Sequence, residues 1–288
     1  MLDDLLVRPL VAAALAEDLG RGGDITTAAT IDPAQRSEVA ITAREPGVVA
    51  GIQCAELAFA LVGENGETPV FTAVKPDGST VAKGDVIATV SGPTHVLLTA
   101  ERVALNFLGQ LSGIATATNQ IAKAIAHTKA KIVDTRKTTP GLRALQKAAV
   151  VAGGGVNHRF GLDDAVLIKD NHIAAVGSVT EAIRRARAHV GHLVKIEVEV
   201  DTLAQLREIT QGDGPLPDAV LLDNMPPDVL AVAVAEVAGR MITEASGNVT
   251  LASAPAIAAS GVDLISSGAI THSAPTLDIG LDWIRQNS

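Results

Sequence analysis

Cationic side chains recur at Arg136-Lys137, His158-Arg159 and Lys169, and carboxylates follow at Glu197, Glu199 and Asp223. Arginine grips carboxylate or phosphate with a planar pair of donors, and lysine adds a point charge, so the set suits a ligand carrying several negative groups. Schiff-base chemistry at Lys169 stays open, because nearby arginines would help a lysine lose its proton. Strand alternation puts Glu197 and Glu199 on one side. Glu199 and Asp223 are the preferred ligand-facing pair, suited to Mg²⁺ through oxygen or to sugar hydroxyls, whereas Glu197 is expected to neutralise a lysine such as Lys195 or Lys169. Two small-residue turns, Ser246-Gly247-Asn248 and Ser267-Gly268-Ala269, expose backbone N–H groups of the kind that cradle phosphate. Gly153-Gly154-Gly155 has neither Walker nor dinucleotide spacing and reads as room for close chain approach beside His158-Arg159. His95, His127, His189 and His192 show no metal-ligand spacing.

Positioning these groups requires a particular scaffold. Six short apolar runs follow one another: Ala130–Arg136, Ala165–Lys169, Val194–Glu199, Ala219–Asp223, Met241–Ser246 and Asp263–Ser267. Each ends in polar residues and is followed by a helical stretch, as in successive βα units. Ser178-Val179-Thr180-Glu181 and Thr202-Leu203-Ala204-Gln205 have the form of capping boxes, and Pro226-Pro227 suits a first helical turn. A β/α barrel and a doubly wound sheet both fit, but the polar strand ends Arg136, Lys169, Glu199, Asp223, Ser246 and Ser267 would converge on one face only in a barrel. Polar strand ends also arise simply where chains emerge into solvent; six in series with sorted charges favour a site.

The first hundred residues read differently. Residues 1 to about 20 form an amphipathic helix ended by Gly20, and strands are expected over Glu38–Arg44, Pro69–Val74 and Asp85–Val90, the last two joined through Pro76-Asp77-Gly78-Ser79. A lipoyl or biotinyl carrier would need a modifiable lysine at that tip, which is Asp77-Gly78.

The chain has 288 residues, four Phe, one Trp and no Tyr, so its core is aliphatic and stacking platforms for nucleic acid are excluded. Net charge is −9, which repels polyanions and acidic membrane surfaces. From Arg102 to Lys169, however, ten basic residues face three acidic ones, leaving this segment at +7 and the rest at −16. Such an excess suggests a small, highly charged anion, with a solvated basic helix face as the plainer reading. The single cysteine, Cys54, lies in an apolar stretch and reads as core in a reducing cytoplasm. No export signal is expected from the acidic start, and Val103–Ala122 is too polar for a bilayer span.

Asp134-Thr135-Arg136-Lys137-Thr138, Gly153 to Arg159, Leu167-Ile168-Lys169-Asp170-Asn171-His172, Glu197-Val198-Glu199-Val200, Leu222-Asp223-Asn224 and Glu244-Ala245-Ser246-Gly247-Asn248 together resemble the quinolinate phosphoribosyltransferase family, in order and over nearly the whole chain. The resemblance implies an N-terminal α/β sandwich over 1–112, an incomplete barrel of six to seven strands over 113–275, and a tail over 276–288 that packs with the first domain. It implies a Mg²⁺-assisted reaction of quinolinate with phosphoribosyl pyrophosphate to nicotinate mononucleotide, pyrophosphate and CO₂. By motif, Arg136, His158, Arg159 and Lys169, with Thr135, would surround the quinolinate carboxylates. Lys137 would meet the pyrophosphate, Glu199 and Asp223 the ribose hydroxyls and Mg²⁺, and Ser246, Gly247, Asn248, Ser267, Gly268 and Ala269 the 5-phosphate. Catalytic roles fall to Lys137, Lys169, Glu199 and Asp223. A homodimer is implied in which Arg102 enters the partner's site, with assembly into hexamers left open. Ala148, Val151 and Ser267 depart from common family residues. A molybdenum-transport paralogue shares Thr-Arg-Lys and Gly-Gly-Gly…His-Arg but usually lacks the stretch intact here from Lys169 to His172; a non-catalytic anion-binding barrel is the alternative of another class.

Overall fold

The computed structural model describes residues 2–64 and 66–284, and the chain divides into two compact units. One comprises Met1–Asn119, Thr139–Gly154 and Ser273–Ser288; the other comprises Gln120–Thr138 and Gly155–His272.

The first unit opens with helix Asp4–Leu19. The Asp3 carboxylate accepts the Leu5 N–H at its start, and Gly20 ends it at φ 52°. Val7, Val11 and Leu15, spaced four apart, bury one stripe. Then come β1 (Arg36–Ala43), β2 (Gly47–Val48), helix Ile52–Gly63, β3 (Val70–Ala73), β4 (Thr80–Val81) and β5 (Val86–Pro93). β5 pairs antiparallel with both β1 and β3, while β2 and β4 form a separate ribbon. Cys54 is core: burial pushes its thiol up to about 12, so it is unreactive. The long helix Thr94–Ile125 follows and contains Ser112 and Gly113, between which the sequence reading sets its domain boundary. Among the described residues no helix is long and apolar enough to cross a membrane.

The second unit holds the six runs as strands, in the order expected: β6 (Lys131–Val133), β7 (Val166–Ile168), β8 (Ile196–Val200), β9 (Ala219–Asp223), β10 (Ile242–Ser246) and β11 (Leu264–Ser266). They form one parallel sheet in the order β6-β11-β10-β9-β8-β7. Val156 adds one parallel bridge to Val133 on the free side of β6, so the incomplete barrel has six full strands and a vestigial seventh. Helix starts behave as their sequences dictate. The Ser178 hydroxyl accepts the Glu181 N–H, Thr202 and Gln205 form a reciprocal box, and Pro227 opens helix Pro227–Val237.

At the amino ends of the strands a carboxylate ties each of two neighbours together. Asp218, just before β9, accepts the Ile196 N–H of β8, and Asp263, just before β11, accepts the Thr243 N–H of β10. Burial alone would raise Asp218, but hydrogen bonds from Lys195, Ile196 and Arg187 outweigh it and bring the carboxyl down to about 2. This end of the barrel is therefore fastened by charge-assisted hydrogen bonds, and the opposite end is left to the loops.

The chain then returns to the first unit. The Leu277 N–H donates to the Gly109 carbonyl at 3.0 Å, and β12 (Ile279–Trp283) pairs antiparallel with β1, giving the sheet order β12-β1-β5-β3. The approach depends on small residues in the long helix, since a Cβ at Gly113 would lie 2.1 Å from the Pro275 carbonyl oxygen. Of the expected tail, residues 285–288 lie outside the described residues.

Candidate active site

Every site residue expected from the sequence except Arg102 belongs to the barrel unit and sits at or just past a strand's carboxyl end. Thr135, Arg136 and Lys137 follow β6; His158 and Arg159 follow the Val156 bridge; Lys169 follows β7. Glu199 is the last residue but one of β8, Asp223 closes β9, and the two Ser-Gly turns leave β10 and β11. Parallel strands of similar length starting on one face must end on one face, which is why residues so far apart in sequence share a mouth.

The +7 segment does not act as one body. Arg102, Arg143 and Lys147 lie in the first unit, with Lys147 fully buried, and Lys129 pairs with Asp263 at the amino end of the barrel. Only Arg136, Lys137, Arg159 and Lys169 stand at the mouth. Arg136 and Lys137 have no side-chain partner among the described residues. Arg159 donates to the Ala165 carbonyl at 3.0 Å, and its pKa is lowered first by burial and then by the like charge of Arg136, with Asp164 and Glu197 opposing. Two guanidinium groups held together, one partly desolvated, form a receptor for an anion.

Lys169 Nζ lies 2.8 Å from Glu199 Oε2, so a ligand that takes this lysine must compete with that carboxylate. The Asp223 carboxylate is oriented from behind: Asn224 Nδ2 donates to Asp223 Oδ2 at 2.6 Å, and Asn248 Nδ2 donates to Asn224 Oδ1 at 3.3 Å. Asn224 and Asn248 both take left-handed backbone, φ 53° and 50°, a conformation asparagine tolerates better than most residues. Gly247 between β10 and Asn248 has φ 97°, and a Cβ there would meet Asn224 Oδ1 at 2.1 Å. Asn248 thus reaches its neighbour rather than standing alone in a cradle. At the other turn, a Cβ on Gly268 would lie 2.8 Å from Lys137 Cδ, and the Thr271 hydroxyl donates to the Lys137 carbonyl at 2.8 Å. Ser267 is almost fully buried, and Ala269 begins the short helix Ala269–His272.

Below the mouth lies a cluster that the sequence reading does not assemble. His158 Nε2 is 2.9 Å from Glu197 Oε2 and 3.7 Å from Glu244 Oε1, and the His158 N–H donates to the buried Asp134 carboxylate at 2.9 Å. Contrary to the expectation above, Glu197 pairs with His158 and neutralises neither Lys195 nor Lys169. Lys195 precedes β8 at its amino end, where it reaches Asp218, and Lys169 is taken by Glu199. Burial first, then the neighbouring Glu197, push Glu244 up to about 7, with His158 and Ser266 pulling the other way. Glu244 Oε1 has no hydrogen-bond partner. Asp134, Glu244 and Asn224 are the residues that the sequence reading misses. Their signal was a lone carboxylate inside an apolar strand run, and asparagine directly after a strand-end acid.

Arg102, in helix Thr94–Ile125 of the first unit, is exposed and lines a cavity of 340 Å³ with Glu17, Asp18, Asn106 and Gln110. A second opening of 540 Å³ shares Arg102, Asn106 and Gln110.

Comparison with known proteins divides the chain once, within the long helix. The family described as Quinolinate phosphoribosyl transferase, N-terminal domain, matches residues 24–112, and the corresponding C-terminal domain matches residues 114–282. The probable nicotinate-nucleotide pyrophosphorylase [carboxylating] of Bacillus subtilis is 44% identical over 286 residues, covering 99% of this chain and 96% of its own. That of Mycobacterium leprae is 47% identical over 279 residues, covering 96% of each. Among solved structures, NadC from Streptococcus pyogenes superposes with a TM-score of 0.91 at 39% identity, covering 99% of both chains. The nicotinate-nucleotide pyrophosphorylase from Francisella tularensis gives 0.92 at 37%, covering 99% of this chain and 98% of its own.

Proposed function

The chain belongs to the quinolinate phosphoribosyltransferase family, and from that membership we infer that it joins quinolinate to phosphoribosyl pyrophosphate, releasing pyrophosphate and CO₂ to give nicotinate mononucleotide. The observation that carries the reading at the site is the Arg136–Arg159 pair at the barrel mouth, with Lys169 at the adjoining strand end. A planar ring with two adjacent carboxylates offers the anionic oxygens that such a set lacks.

In this reading Arg136, His158, Arg159 and Lys169, with the Thr135 hydroxyl, surround the carboxylates. The ring nitrogen attacks ribose C1, and the C1–O bond to pyrophosphate breaks with its electron pair leaving on pyrophosphate. Lys137 neutralises charge accumulating on the leaving group, while Glu199 and Asp223 face the ribose and stabilise the positive charge building at C1. As the 2-carboxylate leaves as CO₂, the bond's electron pair stays on C2, where the adjacent cationic ring nitrogen stabilises it until C2 takes a proton. Backbone N–H groups at Ser246-Gly247-Asn248 and Ser267-Gly268-Ala269 receive the 5-phosphate. Glu199 Oε1 and Asp223 Oδ1 have no partner among the described residues, and hard carboxylate oxygens of this kind suit Mg²⁺. When bound there, Mg²⁺ supplies charge neutralisation for the pyrophosphate.

The test is direct. Purified protein with quinolinate, phosphoribosyl pyrophosphate and Mg²⁺ should form nicotinate mononucleotide, followed by absorbance and mass. No product, or equal activity with nicotinate, would sink the reading.

Arg102 lies in the other unit, and the reading places it in the site of a partner subunit, so the working form is a homodimer; further assembly into hexamers is compatible with that. Arg102→Ala and Lys169→Ala proteins, each inactive, should regain activity when mixed under subunit exchange. At random exchange about a quarter of all sites would be intact, because only mixed dimers carry one unmutated site. Verified exchange without recovery would refute a shared site. A cytoplasmic setting is part of this reading, supported by the single, buried and unpaired thiol of Cys54.

A further inference from the structure

The Glu197–His158–Arg159 arrangement assigns work to a residue that the reaction just described leaves idle. His158 Nδ1 lies 2.7 Å from the Arg159 backbone nitrogen and accepts its N–H. An acceptor nitrogen carries no proton, so the neutral ring bears its proton on Nε2, which donates to Glu197 Oε2 at 2.9 Å. Both ring nitrogens are thereby engaged within the chain.

The same logic rules out a metal reading of this cluster. His158, Glu197 and Glu244 present ligand atoms within 4.8 Å of one another, a spacing a cation could bridge. A metal-bound histidine, however, donates from its second ring nitrogen to an acceptor. Here the second nitrogen accepts, and Nε2 keeps its proton.

What remains is a chain of constraints running outward. Glu197 is fixed in β8, and it orients the ring of His158, whose side chain is only 14% exposed. The ring and Asp134 between them hold two successive backbone N–H groups, those of Arg159 and His158. Arg159 emerges from that pinned backbone, and its guanidinium is set by the Ala165 carbonyl. We propose that Glu197 is a positioning residue of the dicarboxylate subsite, acting through the Nε2–H form of His158 to fix the main chain from which Arg159 reaches the substrate. The proposal rests on the functional reading above for the identity of the substrate.

Two variants separate positioning from mere bulk. Glu197→Gln keeps an oxygen acceptor for Nε2–H, whereas Glu197→Ala removes it. In Glu197→Ala the KM for quinolinate should rise about ten- to hundredfold, by analogy with the loss seen when the partner behind a metal-bound histidine is removed. The KM for phosphoribosyl pyrophosphate and kcat should stay within about a factor of two, and Glu197→Gln should restore most of the loss. Equal KM values for quinolinate in the Ala and Gln variants would overturn the proposal, as would equal rises in both KM values.

Because Glu197 is buried and its alanine variant could fail to fold, the wild-type protein supplies a second readout. With ¹⁵N-histidine labelling and His158→Gln for assignment, the His158 ring at pH 7.5 should show one protonated and one unprotonated nitrogen, with the proton on Nε2, unchanged in Glu197→Gln. A proton on Nδ1, or on both nitrogens, would overturn the relay. A wild-type protein that turns over no quinolinate would instead overturn the functional reading and the substrate named here, while the ring spectrum would still decide the relay by itself.

Discussion

Arg159→Ala should lower kcat/KM for quinolinate by about a thousandfold, or roughly 4 kcal/mol of transition-state stabilisation. Truncating one partner of a desolvated, hydrogen-bonded charge pair is costly because the substrate carboxylate is left unpaired in a site already short of water. Arg159→Lys should recover little, since an ammonium cannot present two parallel donors. Stability should move the other way. Without substrate, burial and the adjacent Arg136 both disfavour the Arg159 charge, so its removal relieves a repulsion, and the melting temperature should hold or rise. Steady-state kinetics with quinolinate varied at saturating phosphoribosyl pyrophosphate, together with thermal melts, read both signs. A variant that loses stability and activity together would mark Arg159 as structural.

Glu244→Gln should flatten the pH dependence of stability between about pH 4.5 and pH 7. The folded carboxyl is pushed up to about 7 from an ordinary value of 4.5, so over this window the folded chain holds a proton that the unfolded chain has released. A group raised in this way contributes its full share of stability below 4.5 and loses it as pH rises through 7. The interval corresponds to about 3 kcal/mol, which the amide, lacking a titration, does not forfeit. Urea unfolding from pH 4.5 to 8.5 should show the two proteins converging at the acid end, with the variant ahead at pH 8. Asp218 and Asp263 do not interfere: their lowered values give stability that is lost only as pH falls below the ordinary carboxylate range, equally in both proteins. Parallel curves across the window would show that Glu244 ionises alike in the folded and unfolded chains.

These two residues mark what could and could not be read before the structure. Arg159 was legible because its type, its neighbour His158 and its place in a repeat of strands all pointed one way. The six strands, their helix caps and the polar strand ends were legible for the same reason: each signal is local, set by period or by capping chemistry within a few residues. Glu244 was not, because its meaning comes from Glu197 and His158, which reach it only when non-adjacent segments curl together. The charge excess between Arg102 and Lys169 misled in the opposite direction. It was an average over side chains that the fold sends to two units and to both ends of the barrel, leaving four at the mouth. Asn224 falls between these cases; an asparagine after a strand-end aspartate hints at left-handed backbone, but its grip on Asp223 depends on Asn248 from the next loop.

The first unit is stitched from three stretches of chain, with β12 closing the open edge of β1. During synthesis this inverts the usual order in which domains mature from the N-terminus. β1 leaves the ribosome early yet keeps an unsatisfied edge until residues 279–283 have been made, while the barrel has all its strands once Ser266 is in place. The newborn chain therefore carries an exposed pairing edge through the whole translation of its catalytic half, the interval in which misassociation at that edge is possible.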